Sequence, residues 1–399
     1  MARFRKSLPE QVDVAHLIST GVLASVCPRS LIDEVLADTG KASQRERLLP
    51  AQAVVYYVMA LALWREAPLE EVLRVVCEGL QWLGGGKAGA VRASKSAISQ
   101  ARTRLGPDVM KQLAERVLRP IARAQAPGAW YRGLRLMALD GSCMDVADES
   151  GNAAHFGYPG ASRGDSAFPQ ARVLGLVECG THVIAAASIA PYGTSEQAMA
   201  ALLLPAKLAP DMLVLADRNF YGFKLWKLAC ASGAQLLWRV KSNLILQREQ
   251  ELPDGSYLST VYDSEDRRHI SGVKVRVIDY TLVDSAKPVL GSYRLITNIL
   301  EPEAAPALEL AAVYHERWEV ESVFDEFKTH MRSTSTVLRS KTPELVEQEL
   351  WGLLMAHFAI RQLMEQAAWH RGLDPDRLSF VHALRVVKRK MPQAAALPP

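Results

Sequence analysis

The stretch LRLMALDGS, residues 134–142, is where the chain stops reading as helices and begins to read as a sheet. Its apolar run, LMAL, ends in Asp140 and Gly141. A second run of the same kind, LVLAD at 213–217, closes on Asp217. Short unbroken apolar runs suit strands covered on both faces. A carboxylate directly after such a run suits a site at the carboxyl edge of a sheet. A strand-ending Asp is also a common turn residue, so neither position decides a function by itself.

Outward from these runs the pattern alternates. Arg172–Glu178 and His182–Ile189 predict a hairpin about Cys179-Gly180-Thr181, Ser195–Leu208 predicts a helix, and Phe223–Ala231 a shorter one. A β-rich stretch from Leu236 to Ile299 follows, then a long helix over about Pro306–Met331. Two more helices are expected at Pro343–His370 and Leu378–Lys388. Before Gly133 the texture is helical, with apolar residues at three- and four-residue spacing in Val12–Ile18, Leu31–Ala37, Arg45–Trp64 and Leu69–Leu80. Gly84-Gly85-Gly86-Lys87 reads as a turn and not a phosphate loop, because Ala88 stands where Ser or Thr is required. Ser94 or Ser96 can cap a helix over Ala97–Leu105, ended by Gly106. That short helix is expected to expose Gln100, Arg102 and Arg104, residue types suited to base edges and phosphates.

A chain of 399 residues with 49% hydrophobic and 23% charged residues is ordinary for a soluble protein of two or three domains. No apolar run reaches the ~18 residues of a membrane span, and no signal-like segment follows the basic N-terminus. A cytoplasmic location is the expectation. The five cysteines include no CxxC pair, which argues against a zinc knuckle and against a disulfide scaffold. Net charge of +4 says little, but eleven cationic side chains lie between Lys87 and Arg135 against only Asp108 and Glu115. Such a surplus fits a polyanion partner, and equally a set of solvated helix faces.

The long helix adds chemistry. At ~100° per residue, Tyr314, Arg317, Glu321 and Lys328 fall on one stripe roughly 60° wide. Val320, Val323, Phe324 and Phe327 occupy the neighbouring arc, which should pack on the sheet. Asp325 lies close to the same stripe and is a rival acid. Three carboxylates, Asp140, Asp217 and one of these, can hold two divalent ions ~4 Å apart for phosphodiester displacement. Magnesium suits an all-oxygen set of this kind. Arg317, Lys328 and the Tyr314 hydroxyl would then hold phosphates.

At this point the chain resembles the insertion-sequence-4 group of DDE transposases. Tyr314-x2-Arg317-x3-Glu321-x6-Lys328 has that group's Y-x2-R-x3-E-x6-K spacing. The first-aspartate region is also similar: Asp140-Gly141-Ser142, Asp148, Asn152, Phe156-Gly157, then Arg163-Gly164 and Ala167-Phe168-Pro169-Gln170. So is Asp217-Arg218-Asn219-Phe220-Tyr221.

The resemblance implies an α/β, ribonuclease H-like catalytic core preceded by an all-helical N-terminal DNA-binding domain. A β-rich insertion would fill part of the 104 positions between Asp217 and Glu321. The expected division is 1–130 for the helical end-binding domain, 131–234 and 304–399 for the core, and 235–303 for the insertion. Asp140, Asp217 and Glu321 would be the catalytic metal ligands, taking two Mg2+ ions with Mn2+ as a substitute. Terminal inverted repeats, target DNA and a second copy of the chain in a synaptic dimer would be the partners. Tyr314, Arg317, Lys328, Arg163, Gln100, Arg102 and Arg104 would contact DNA. Tyr293 stands where the group stacks a flipped base during hairpin cleavage, and Trp318 would pack on the end DNA or on its own helix. A catalytically inactive DNA-binding regulator and a nuclease without strand transfer are the competing readings.

Overall fold

The computed structural model describes residues 20–42, 49–84, 93–161, 164–284, 287–331 and 337–390. Up to Val117 the described residues form helices only: α1 (Thr20–Val26), α2 (Arg29–Asp38), α3 (Ala51–Leu61), α4 (Leu69–Gly84), α5 (Lys95–Leu105) and α6 (Pro107–Val117). Local chemistry sets several starts. Pro28 and Pro50 immediately precede α2 and α3, Pro107 opens α6, and the Ser94 hydroxyl accepts from the Ala97 N–H to cap α5. The helix expected over Val12–Ile18, the start of that expected from Arg45, and most of the Gly84–Lys87 turn lie outside the described residues.

A ten-stranded sheet follows. In chain order its first part is β1 (Trp130–Tyr131), β2 (Leu134–Asp145), α7 (Ser150–Phe156), and a small ribbon of β3 (Gly160–Ala161) and β4 (Gly164–Asp165) outside the main sheet. Next come β5 (Gln170–Glu178), β6 (Val183–Pro191), α8 (Glu196–Lys207), β7 (Met212–Ala216), α9 (Phe223–Cys230) and β8 (Gln235–Arg239). The order β6-β5-β2-β7-β8 has antiparallel pairs on the β6 side and parallel pairs from β2 to β8. This mixed arrangement fits a ribonuclease H-like core. The β-rich stretch does not stand apart as a lobe: β9 (Gln250–Glu251), β10 (Tyr257–Val261), β11 (Val273–Asp284) and β12 (Lys287–Thr297) extend the same sheet, β12 pairing with β8.

Strand alternation sorts the two faces. Leu136, Ala138, Leu213 and Leu215 join the larger apolar core, whereas Met137, Leu139, Val214 and Ala216 join the smaller one under α8 and α9. The larger core is contiguous with the N-terminal helices. On that face the expected single long helix is instead a composite: α10 (Ala307–Tyr314), a tight 3-10 turn (His315–Trp318), α11 (Glu319–Asp325) and a wide π turn (Glu326–His330). Such departures from 3.6 residues per turn shift side chains off an ideal stripe. Val320, Val323, Phe324 and Phe327 are buried, as the apolar arc predicts.

Helix α12 (Pro343–Arg371) is the buried spine beneath these layers, and α13 (Phe380–Lys390) follows it. Gly352 lets α12 approach α3 closely, since a Cβ there would lie 2.8 Å from the Val58 carbonyl oxygen. Arg102 corrects the expectation of an exposed α5 face. It is 6% exposed, and its guanidinium donates to Gln348 Oε1 (3.3 Å), the Leu345 carbonyl (2.7 Å) and Ser340 Oγ (3.0 Å). Glu349, held below the usual carboxylate range despite its burial by Arg65, Arg102 and Ser340, compensates the charge. Arg102 is therefore a rivet between α5 and α12, while Gln100 and Arg104 remain exposed.

Arg102→Ala should accordingly lower the melting temperature by several degrees, because each buried partner left unsatisfied costs about 1–3 kcal/mol. Gln100→Ala, on the exposed side of the same helix, should stay within about 0.5 kcal/mol of wild type. Thermal unfolding followed by circular dichroism separates the two. An Arg102→Ala protein with unchanged melting and lost DNA binding would return this side chain to the surface role.

Candidate active site

The two aspartates are brought together by register. β2 and β7 run parallel with Leu136 opposite Leu213, and their pairing ends at Leu139 opposite Ala216. Asp140 and Asp217 each follow directly, and alternation aims both toward the face of the larger core. One expectation is corrected here: Asp140 is not at a strand end. Strand β2 continues to Asp145 through its pairing with β5, so Asp140 lies where β2 outruns β7.

Above this pair crosses the segment from Tyr314 to His330. Arg317, 6% exposed, reaches both sides: Nη1 lies 3.5 Å from Asp140 Oδ2 and Nη2 lies 3.6 Å from Glu321 Oε1. It thus links the first aspartate to the glutamate, while its buried Nε–H has no hydrogen-bond partner. Asp325 turns to its own helix instead, accepting from Thr329 Oγ1 at 2.6 Å and lying 3.6 Å from His330. That contrast favours Glu321 as the third member.

The site is rich in negative charge. Burial, with Glu196 and Asp217 acting in the same direction, raises the Asp140 carboxyl to about 6. The Gly141 N–H, which donates to Asp140 Oδ1 at 2.8 Å, and Arg317 oppose this. Glu196, the first residue of α8, was not singled out by the sequence reading. It fills the space beside Gly141, where an added Cβ would meet its carboxylate, and it lies 3.3 Å from Arg172. Glu196 and Asp217 lie close enough to Asp140 for their charges to act on it, and carboxylates clustered in this way fit a cation-binding role.

Beside Asp217 stands a second group the sequence reading missed. Arg239 Nη1 is 3.9 Å from Asp217 Oδ1, and its guanidinium lies 4.2 Å over the Tyr293 ring. Tyr280 stacks on Tyr293 at 5.2 Å with planes 19° apart. Adjacent strands β8, β12 and β11 supply this row in the order Arg239, Tyr293, Tyr280. The register Leu295 opposite Arg239 is the only signal, and it exists only once the strands are paired. Tyr293 is therefore not an open platform: Arg239 and Tyr280 already pack on its ring.

The remaining expected residues divide. Lys328 is exposed on the π turn; burial raises the Cys143 thiol, and the nearby charges of Arg172 and Lys328 only partly oppose this. Trp318 is 46% exposed, with Arg317 5.0 Å from its ring centre. Tyr314 is corrected: it is 2% exposed and its hydroxyl donates to the Ala216 carbonyl at 3.4 Å, so it braces β7 and is not presented to solvent. Gln100, Arg102 and Arg104 lie on α5, which packs on α3, α4 and α12. Arg163 lies outside the described residues.

A separate group, His182, Glu319 and Asp376, has metal-like spacing. Its chemistry points elsewhere. Arg361 Nη2, which can only donate, is 2.8 Å from His182 Nδ1, so the imidazole proton belongs on Nε2. An Nε2–H lies 3.3 Å from Glu319 and 3.2 Å from Asp376, without hydrogen-bonding to either, and offers no lone pair to a metal.

Comparison with known proteins agrees with the resemblance. Residues 17–115 match the family model for the insertion element 4 transposase N-terminal region, and residues 131–359 match the transposase DDE domain. The chain is 29% identical over 365 residues to the transposase InsG for insertion sequence element IS4 of Escherichia coli K12, covering 90% of this chain and 80% of that one. It is 26% identical over 221 residues to the putative transposase InsZ of the same organism, covering 55% and 71%. A cryo-EM structure of a piggyBac transposase synaptic complex with hairpin DNA superposes at a TM-score of 0.44 and 11% identity, over 96% of this chain and 83% of that one, a likeness too loose to argue from. With the DDE model spanning more than half of its length, the chain belongs to the insertion-sequence-4 family of DDE transposases, metal-dependent enzymes that cleave DNA and join the cut strands.

Proposed function

We propose that Asp140, Asp217 and Glu321 are the metal ligands with which this transposase cuts the ends of its element and joins them to target DNA. The observation that supports this best is the β2–β7 register, which sets the two aspartates side by side under Arg317 and Glu321. Two Mg2+ ions, or Mn2+ in their place, fit three carboxylates whose charge is only partly balanced by Arg317 and Arg239. Bound there, the ions would stabilise charge on the attacking and leaving oxygens of a phosphodiester.

The other side chains position DNA. Arg317, with an unpartnered buried N–H, and exposed Lys328 suit phosphate oxygens. Arg239, next to Asp217, offers a guanidinium plane over Tyr293, so a base displaced from the duplex would stack on Arg239 first and on Tyr293 only if Arg239 swings away. This bears on a hairpin route, in which a flipped base has to be held beside the metal ligands. Trp318 is exposed enough to pack on end DNA. Terminal-repeat recognition by the N-terminal helical region, through exposed Gln100 and Arg104, and a dimeric synaptic complex complete the reading.

Replacing Asp140, Asp217 or Glu321 singly with Ala should reduce cleavage by more than ~100-fold, beyond the 10–100-fold typical of groups behind the ligands. End binding should persist, and Asp325→Ala should still cleave. Labelled end DNA in Mg2+ reports both quantities. Cleavage that survives Glu321→Ala but not Asp325→Ala would move the third ligand.

Arg239→Ala and Tyr293→Ala should separate two steps. The first should lower both nicking and any hairpin formation, since its charge sits beside Asp217. The second removes the ring that backs Arg239 and that receives the base only once Arg239 has swung away, so it should affect hairpin formation alone, by at most the ~1–3 kcal/mol typical of stacking one base. Gel resolution of nicked and hairpin products decides between them, and equal loss of both products in Tyr293→Ala would remove its separate stacking role.

A further inference from the structure

The chain from Arg377 to Lys390, RLSFVHALRVVKRK, carries five Lys or Arg residues and one His and no acid at all. On α13, His382, Arg385, Lys388 and Arg389 fall at helical spacing and together line an open groove of about 500 Å3. Leu384 and Val387 hold the opposite side of the helix in the core. Lys388 is drawn inward beside Glu66, but His382, Arg385 and Arg389 are exposed. Among the described residues no carboxylate pairs with Arg385 or Arg389, and Arg389 Nε donates only to the Arg385 carbonyl at 3.3 Å.

This differs from the basic segment that first suggested a polyanion. There Arg116 meets Asp38 at 2.5 Å, Arg123 meets Glu365 at 3.2 Å, Arg132 meets Glu309 at 2.9 Å, Arg135 is paired with Glu178, and Arg102 is buried. Much of that surplus is consumed inside the fold. The surplus on α13 is not.

Position supplies the second argument. The start of α13, at Ser379, Phe380 and Val381, walls a cleft whose other side is Glu321, Ser322 and Asp325. The cationic groove therefore begins where the catalytic helix ends its exposed face. From His382 to Arg389 the helix rises ~10.5 Å, about three phosphates along one strand at ~3.4 Å of axis each.

We propose that α13 is a phosphate track, in which His382, Arg385 and Arg389 hold the backbone of duplex DNA leaving the catalytic centre past Glu321. The proposal rests on the assignment of Glu321 above. The shared chemistry is a DNA backbone, whether of the element end with its flank or of the target.

The test is fluorescence-anisotropy titration of the full chain at several salt concentrations in EDTA, with an end-bearing duplex and a random-sequence duplex as separate probes. Arg385→Ala/Arg389→Ala should flatten the salt slope by close to 2 units, about 0.9 for each lost phosphate contact. Arg385→Lys/Arg389→Lys should restore it, and the melting temperature should not move. Loss confined to the end-bearing duplex identifies element DNA; loss confined to the random duplex identifies target DNA; loss with both identifies a track shared by the two. An unchanged slope with both probes overturns the proposal, as does failure of the Lys variant to restore it. Because binding is read without metal, a wrong assignment of the metal ligands would leave this measurement intact.

Discussion

Glu326 carries a charge into the interior, and much of the molecule is arranged around satisfying it. It is 7% exposed and starts the π turn just after α11, the helix that carries Glu321. Burial opposes its ionisation, yet the His357 hydrogen bond at 2.9 Å and the Arg361 guanidinium outweigh that and hold it below the usual carboxylate range. Arg361 goes on to His182 at the β5–β6 turn, and His182 faces Glu319, two residues before Glu321. The Tyr314–His330 segment is thereby pinned to α12 on both sides of Glu321. A buried pair of this kind adds little net stability over an apolar substitute, but removing one partner costs about 3–5 kcal/mol. Its value lies in orientation: Glu321 itself is half exposed, with Arg317 Nη2 3.6 Å away.

Helix α12 is the element through which this constraint spreads. The same helix receives Arg102 from α5, offers Gly352 to α3 and packs on α6. The N-terminal helices therefore share the larger core with the sheet and are joined to it by buried polar contacts.

Much of the fold was legible in the chain. The runs ending in Asp140 and Asp217, the hairpin at Cys179-Gly180-Thr181, the Ser94 cap and the apolar arc of Val320, Val323, Phe324 and Phe327 are all local in origin. Less legible was anything that depends on a partner far away in sequence. Arg102 has the spacing of an exposed reader, but three acceptors on the α12 side draw it inward. Tyr314 belongs to the motif stripe, yet the turn of 3-10 helix after it leaves its hydroxyl on the Ala216 carbonyl. The 3-10 and π turns have no periodic signature of their own.

By itself the sequence determined which residue types stand at which spacings: two strand-borne aspartates, a Y-x2-R-x3-E-x6-K helix, and cationic runs at 87–135 and 377–390. Spacing along a strand or helix is a local property, so it survives without the fold. Only the tertiary structure decided that Asp140 meets Asp217, that Arg317 bridges to Glu321, that Arg239 covers Tyr293, and that five cations of the first run are paired or buried while Arg385 and Arg389 of the second stay exposed. Charge pairing and strand register are set by contacts across hundreds of residues, and a carboxylate's partner is whichever cation the packing delivers within reach.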